Sequence, residues 1–337
     1  MKKIRLLALA GILTFLASSE VFSKTKEKII KIGSANGEGR PFNGLAGVAI
    51  EKGFFEEEFK KIGWKVEYVT FSNGVVVNEA LLSNDLDFAA IGDVPGVTGF
   101  RNNIGVVWVG TNVPVQPLSF ATRKGSGIKK PEDLIGKSIG LNLGTNGQFL
   151  FENYIKEHKL PRDKLNVVNI TTANSQAAVV TGDIDLAVGT SANLLPITQK
   201  GDAEDFYNTT KRPEWSAQTI ITARKKFLKQ NPEAANAFFR ALIRANAEVH
   251  SHPEESYHAL SGKRFSNDSD LGPLLYNAND YTPEVKPELI ARLQNLHDIL
   301  RDIGRVKGNY NIAKDVDNSY YNKALKEFQA EGHKLTD

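Results

Sequence analysis

From residue 28 to residue 110 the chain alternates short apolar runs with helical ones. A strand–helix–strand rhythm of this kind commits a sequence to a sheet built largely from parallel strands. Residues 28–33 (Lys-Ile-Ile-Lys-Ile-Gly) read as a strand closing on a glycine turn. Residues 45–61 have helical spacing, with Val48, Ala49 and Ile50 followed by Phe54, Phe55 and Phe59. Residues 64–71 alternate, which places Val66, Tyr68 and Thr70 on one face. Residues 75–82 are helical and residues 86–91 form a strand of buried type. A Gly-Asp-Val-Pro turn then opens a short helix before a strand over residues 104–110.

A second module repeats that plan. Residues 131–134 begin a short helix with proline in its first turn. Strands are predicted over 137–143, 165–170 and 185–188, and helices over 145–159 and 175–181. From Ser216 onward helices dominate, with Asn231-Pro232-Glu233 as a start signal. Phe238, Phe239, Leu242 and Val249 face inward, as do Leu289, Leu293, Leu296, Leu300 and Ile303. Two extended segments, residues 117–123 and 215–223, bracket the second module and read as hinge strands. The expected architecture is α/β with two lobes, each a mostly parallel sheet flanked by helices. Lobe 1 comprises residues 24–118 and 220–337, including the C-terminal helices, and lobe 2 comprises residues 119–219. Two lobes on two strands can close over a ligand.

Residues 1–23 carry Lys2, Lys3 and Arg5, then an apolar run from Leu6 to Ala17, then small and polar residues. This is the layout of a secretory signal peptide, and the run is shorter than the roughly 20 residues that span a bilayer. Cleavage is expected after Ser23, with a cut after Ser19 as the second choice. The chain has no cysteine, which excludes an N-terminal lipid anchor on cysteine, disulfides and thiol chemistry. The formal charge of +3 is held mostly by the leader's three cations against Glu20. A nearly neutral remainder gives no broad field for nucleic acid. An exported protein free in the periplasm is expected.

Ligands of parallel α/β sheets sit beyond the carboxyl ends of strands, where helices begin. Four turns qualify: Ser34, Ala35, Asn36 and Gly37; Gly92, Asp93, Val94 and Pro95; Gly144, Thr145, Asn146 and Gly147; and Gly189, Thr190 and Ser191. Free N–H groups at helix starts suit an oxyanion, although the same residues are good helix caps. Gly144 permits close backbone approach, and Thr145 and Asn146 can donate hydrogen bonds. Arg40 is either an anion partner or a solvated loop residue. Asp93 repels an anion unless it caps a helix or accepts from a ligand amine. Trp215 either walls the cleft or packs the lobe, and Gln116 either reaches the cleft or satisfies backbone.

Signs of catalysis are weak. His158, His250, His252, His258, His297 and His333 fall mostly in helical or polar stretches. His250 and His252 sit two apart on a helix and face different ways, so no metal site is expected. No nucleophile elbow or phosphate-binding loop is present.

Several stretches run together in a recognisable order. They are Glu51-Lys52-Gly53-Phe54-Phe55-Glu56, Asn78-Glu79-Ala80-Leu81, and Leu86-Asp87-Phe88-Ala89 with Gly92-Asp93-Val94-Pro95. Lys124-Gly125-Ser126-Gly127-Ile128, Asp133-Leu134-Ile135-Gly136-Lys137, Gly144-Thr145 and Gly182-Asp183-Ile184-Asp185 follow. In these the chain resembles the substrate-binding proteins of the sulfonate, nitrate and taurine ABC importers, the aliphatic-sulfonate branch above all. The resemblance implies a two-lobed periplasmic-binding-protein fold of type II and no cofactor. It also implies a monomer that delivers a small organic anion to an inner-membrane permease. By that likeness Gly92, Asp93, Gly144 and Thr145 are the best contacts, joined by Asn36, Gly37, Asn146, Thr190, Ser191 and Trp215. Two departures fall where selectivity is decided. The first turn, residues 36–43, is longer and carries Arg40, and Ala187-Val188-Gly189-Thr190-Ser191 replaces a segment that is often aromatic and acidic. The alternative ligands are nitrate, bicarbonate or a thiamine-pyrimidine-like aromatic. An enzyme like the relative that makes the thiamine pyrimidine is disfavoured, because that relative uses a cysteine-rich motif. A sensory subunit reporting to a membrane kinase is a further alternative.

Overall fold

A computed structural model describes residues 27–263, 273, 276, 277 and 279–332. The expected leader, its cleavage point and His333 lie outside these residues. In the first lobe, β1 (Lys28–Ser34) leads to α1 (Gly44–Glu51) and α2 (Phe54–Lys61). Then come β2 (Trp64–Thr70), α3 (Gly74–Ser83), β3 (Phe88–Gly92), α4 (Asp93–Arg101) and β4 (Val106–Gln116). The second lobe runs β5 (Leu118–Arg123), β6 (Ser138–Leu141), α5 (Asn146–Glu157), β7 (Asn166–Asn169), α6 (Thr172–Thr181), β8 (Leu186–Thr190), α7 (Ser191–Gln199) and β9 (Ala203–Asn208). The chain returns through β10 (Ala217–Arg224) to α8 (Lys225–Gln230), α9 (Pro232–Ser251), α10 (Pro253–Leu260), α11 (Pro287–Asp302) and α12 (Ser319–Ala330).

The two sheets share one plan. Their strand orders are β2-β1-β3-β10-β4 and β7-β6-β8-β5-β9. In the first, β1 pairs in parallel with β2 and β3, and in the second β6 pairs in parallel with β7 and β8. Each sheet is mostly parallel, as expected, but mixed: one strand, β10 or β5, runs against the rest, and the edge strand beyond it, β4 or β9, runs with them. The reason is the crossing itself. A strand that enters from the other lobe starts at the facing edge, where the parallel strands end, and must run against them. Thus β4 passes directly into β5 of the opposite sheet, and β9 passes into β10.

The segments read as hinge strands are therefore β5 and β10, which lie inside the sheets. The crossings are shorter, at Pro117 and at residues 209–216, and they are bonded to one another. Thr209 donates its N–H to the Leu118 carbonyl and accepts the Leu118 N–H on its hydroxyl, both at 2.9 Å. The same hydroxyl lies 2.6 Å from that of Ser216, and both residues are fully buried.

Alternation along the strands sends side chains to both faces of each sheet. In the first sheet Phe88, Ala90, Ile221 and Ala223 face one core, with Phe238 stacked on Phe88 at 3.9 Å. Ala89, Ile91, Ile220 and Trp108 face the other, under α3, α4 and α11. The helix expected over residues 45–61 is broken in two at Gly53, whose φ of +70° no β-carbon residue adopts freely. The strand expected to end at Gly110 continues to Gln116 through Pro114, because β4 is an edge strand on which a missing N–H costs little.

The lobes also meet along a seam of side chains. Helix α5 of the second lobe lies against α11 of the first, with the Asn295 amide donating to the Asn153 side-chain oxygen at 3.4 Å. Phe149, one turn into α5, is 2 % exposed and belongs to the apolar cluster under α4 and α11 of the opposite lobe.

Candidate ligand-binding site

The carboxyl ends of the parallel strands of both sheets point at one another across the crossings. In lobe 1, β1 ends at Ser34, and β3 ends at Gly92 and passes straight into α4. In lobe 2, the turn after β6 opens α5 at Asn146, and β8 ends at Thr190, the residue capping α7. The Ser191 N–H donates to the Pro117 carbonyl at 2.8 Å, so α7 begins against the first crossing. The Asn146 amide leans on the Asp93 carboxylate, which joins the two sets of strand ends.

Polar atoms sealed from water are normally paired. Here one hydroxyl or amide oxygen at three of the four turns has no partner: Ser34 Oγ, Asn146 Oδ1 and Thr190 Oγ1. They come from both lobes.

The other expected contacts are spent on structure. The Asn36 amide donates to the Pro41 carbonyl and to the Asn43 side chain, both at 3.1 Å. The Gly37 N–H bonds the Phe71 carbonyl at 3.0 Å. Arg40 joins Asn36, Pro41 and Gly262 around a groove of about 200 Å³ on that loop. Gly92 is the capping residue of α4. The Gly144 N–H is taken by the Gln148 side chain at 2.8 Å, and the Thr145 hydroxyl donates to the Asn142 carbonyl at 2.6 Å. Even so, the α-carbon of Gly144 faces open space. The Ser191 hydroxyl pairs with that of Ser119 in a buried contact. Trp215 is 7 % exposed within the core of lobe 2, stacked under Arg212, and its place is packing rather than cleft wall. Gln116, half-buried, ends β4 opposite Ala217.

Asp93 is 2 % exposed. Burial disfavours its charge and pushes the carboxyl up to about 6. The N–H groups of Gln218 (3.1 Å) and Val94 (2.8 Å), the Arg292 charge and the Asn146 amide all act the other way. So Asp93, the first residue of α4, holds the N–H of the next residue and braces the start of β10. Arg292 is 5 % exposed, gives one N–H to the Pro114 carbonyl at 2.6 Å, and leaves its Nε unpartnered. Gln218 is fully buried. Its amide nitrogen donates to the Leu289 carbonyl at 3.2 Å and its oxygen has no partner.

The family model for NMT1/THI5-like proteins matches residues 45–256, more than half of the chain and the span from α1 into α10. The chain belongs to the NMT1/THI5-like family. It is 22 % identical over 294 residues to a Bacillus subtilis protein assigned to aliphatic-sulfonate binding, covering 85 % of this chain and 86 % of the relative. It is 25 % identical over 207 residues to the taurine-binding periplasmic protein of Escherichia coli, covering 58 % of this chain and 61 % of that one. Among solved structures, the periplasmic sulfonate-binding protein SsuA of Methylobacillus flagellatus superposes with a TM-score of 0.79. That match has 24 % identity and covers 91 % of this chain and 96 % of that one. The two-lobed fold is thereby that of a periplasmic binding protein.

Two buried polar residues that act on Asp93 were not singled out from the sequence of this NMT1/THI5-like protein. Gln218 is an uncharged polar residue in the buried strand Ala-Gln-Thr-Ile-Ile, and Arg292 falls between Leu289 and Leu296 on the buried stripe of α11. Each is a polar residue at an apolar position, which was the available signal.

Proposed function

We propose that this chain is the solute-receiving subunit of an ABC importer and holds a small organosulfonate between its lobes. The observation that carries this reading is that buried oxygens of Ser34, Asn146 and Thr190, at strand ends and helix starts of both lobes, have no partner. The starts of α4, α5 and α7 add N–H donors and the positive ends of helix dipoles, which hold an anion without a buried lysine. Ser34 and Thr190 hydroxyls then donate to sulfonate oxygens, with Gly92, Gly144 and Thr145 shaping the walls. The relatives named for sulfonates and taurine support the same class of ligand.

The two crossings act as the hinge, and closure presents both lobes to a permease in the membrane. The leader sends the protein to the periplasm, where it works as a monomer. It is a receptor and not an enzyme. The hydroxyls and amides at the strand ends bind and cap, and the Ser191 hydroxyl is paired with another serine rather than with a base.

Thermal unfolding against ethanesulfonate, taurine, nitrate, bicarbonate, sulfate and the thiamine pyrimidine tests the reading. A ligand at a thousand times its Kd adds about 4 kcal/mol, which is several degrees in Tm for a protein of this size. Organosulfonates are expected to give that shift. A shift with nitrate, bicarbonate or the pyrimidine alone replaces the ligand class. No shift with any of them removes the receptor reading.

A further inference from the structure

Between the two crossings and the start of α11 lies a cavity of about 340 Å³, within the size range of small-molecule sites. Pro114 and Val115, just before the first crossing, form one wall, and Pro213 and Glu214 of the second crossing form another. The third wall is the beginning of α11, including Glu288 and Arg292. β4 is the edge strand of its sheet, three places from β1, which separates this cavity from the Ser34 turn. Two of the charges on the wall are already matched. Glu214 is held by Arg212 at 2.5 Å, and Asp280 is held by Lys286. Arg292 and Glu288 are not matched in this way. The Arg292 guanidinium is 5 % exposed, places one of its five N–H groups on the Pro114 carbonyl, and has its Nε unpartnered. Its charge is balanced only at range, by Asp93, Glu214 and Glu288. A buried charged donor in this state is costly unless an acceptor reaches it. Glu288 is exposed and makes no hydrogen bond or ion pair among the described residues. The two stand four residues apart with the acid first, the order that favours a direct pair on a helix, yet they do not bond. The cavity thus presents a guanidinium with spare donors and, one helical turn away, an unpaired carboxylate.

We infer that this cavity is a second ligand site and takes a small zwitterion, an α-amino acid by class, with its carboxylate on Arg292 and its ammonium toward Glu288. A simple anion is drawn by Arg292 but repelled by the carboxylates of Glu214, Asp280 and Glu288, and a simple cation meets the reverse. A molecule carrying both charges satisfies both unmatched groups. The positive end of the α11 dipole adds to the pull on its carboxylate. The inference stands apart from the organosulfonate reading, because Ser34, Asn146 and Thr190 are not among the residues lining this cavity.

The test is calorimetric titration of the intact protein with glycine, L-alanine and L-serine, and with acetate and methylamine, which carry one charged end each. The titrations are repeated with ethanesulfonate in excess and on Glu288→Gln. At least one amino acid is expected to bind one to one, with acetate and methylamine at least about tenfold weaker. Ethanesulfonate is expected not to displace it. Glu288→Gln changes an exposed side chain, so the variant is expected to fold as the wild type does and to bind that amino acid severalfold more weakly, with ethanesulfonate affinity unchanged. No binding of any of the three at millimolar concentration overturns the inference and leaves the organosulfonate reading standing. Acetate bound as tightly as the amino acids overturns the zwitterion class. An amino acid that ethanesulfonate displaces, or that Glu288→Gln holds as tightly as the wild type does, overturns the site. The amino-acid result stands whether or not ethanesulfonate binds.

Discussion

Arg292→Leu is expected to lower the unfolding free energy by about 3 kcal/mol at pH 8 and by clearly less at pH 5. Two parts make up the loss. One is independent of pH: the Pro114 carbonyl, at the end of β4, loses its buried donor. The other belongs to Asp93. Its carboxyl is raised to about 6 in the folded protein, from an ordinary value of about 4 in the unfolded chain. A raised carboxyl supports the fold fully below the unfolded value, and that support is lost as pH climbs through the folded one. Without Arg292 the folded value rises further, so the penalty for ionising Asp93 continues to grow above pH 6. At pH 5 the carboxyl can stay protonated and most of that penalty vanishes. Urea unfolding at the two pH values measures the difference. In an Asp93→Asn background the pH dependence of the Arg292 effect should disappear. If it persists, the charge coupling between these two residues is not its source.

Phe149→Ala is expected to cost about 3–5 kcal/mol, the range for emptying a packed phenylalanine site. Phe149 is carried by a helix of lobe 2 yet buried with Phe100, Leu289, Leu293 and Leu296 of lobe 1. The void therefore opens where α5 of lobe 2 enters the core under α4 and α11 of lobe 1. Calorimetric unfolding should show a lower Tm, with the single transition broadening or dividing as the lobes lose their coupling. A loss below about 1 kcal/mol means that the seam is loosely packed and that α5 is held by its own lobe alone.

These effects show which parts of the protein were legible in the sequence. The repeated strand–helix rhythm predicted both sheets, because alternation and helical periodicity are local properties. The same rhythm could not show that β5 and β10 lie inside the sheets and run against the parallel strands, since an antiparallel partner distant in sequence leaves no local trace. The polar edge strand β9, Ala-Glu-Asp-Phe-Tyr-Asn, was missed because only Ala203 in it is buried, and periodicity fails without a buried face. Helix α12 was missed as well, although Tyr321, Ala324 and Phe328 recur at helical spacing along its buried side.

The site was readable to the level of the turn but not of the atom. All four turns lie at the carboxyl ends of parallel strands, as the βαβ rule requires. Which group in a turn stays free depends on its neighbours: Gln148 takes the Gly144 N–H, Asn43 takes the Asn36 amide, and nothing takes Thr190 Oγ1. Asp93 was read as either a cap or a ligand acceptor. The distance of 3.1 Å from the Gln218 N–H makes it a brace between α4 and β10. His297, in a helical stretch as read, is fully buried beside Asp298.

The most direct test of the account is a crystal structure of the protein grown with taurine. The account predicts the sulfonate between the lobes, within hydrogen-bond distance of the Ser34 and Thr190 hydroxyls and of the N–H groups that open α5. Taurine bound elsewhere, such as in the groove beside Arg40, or lobes that hold no ligand at millimolar taurine, would contradict it.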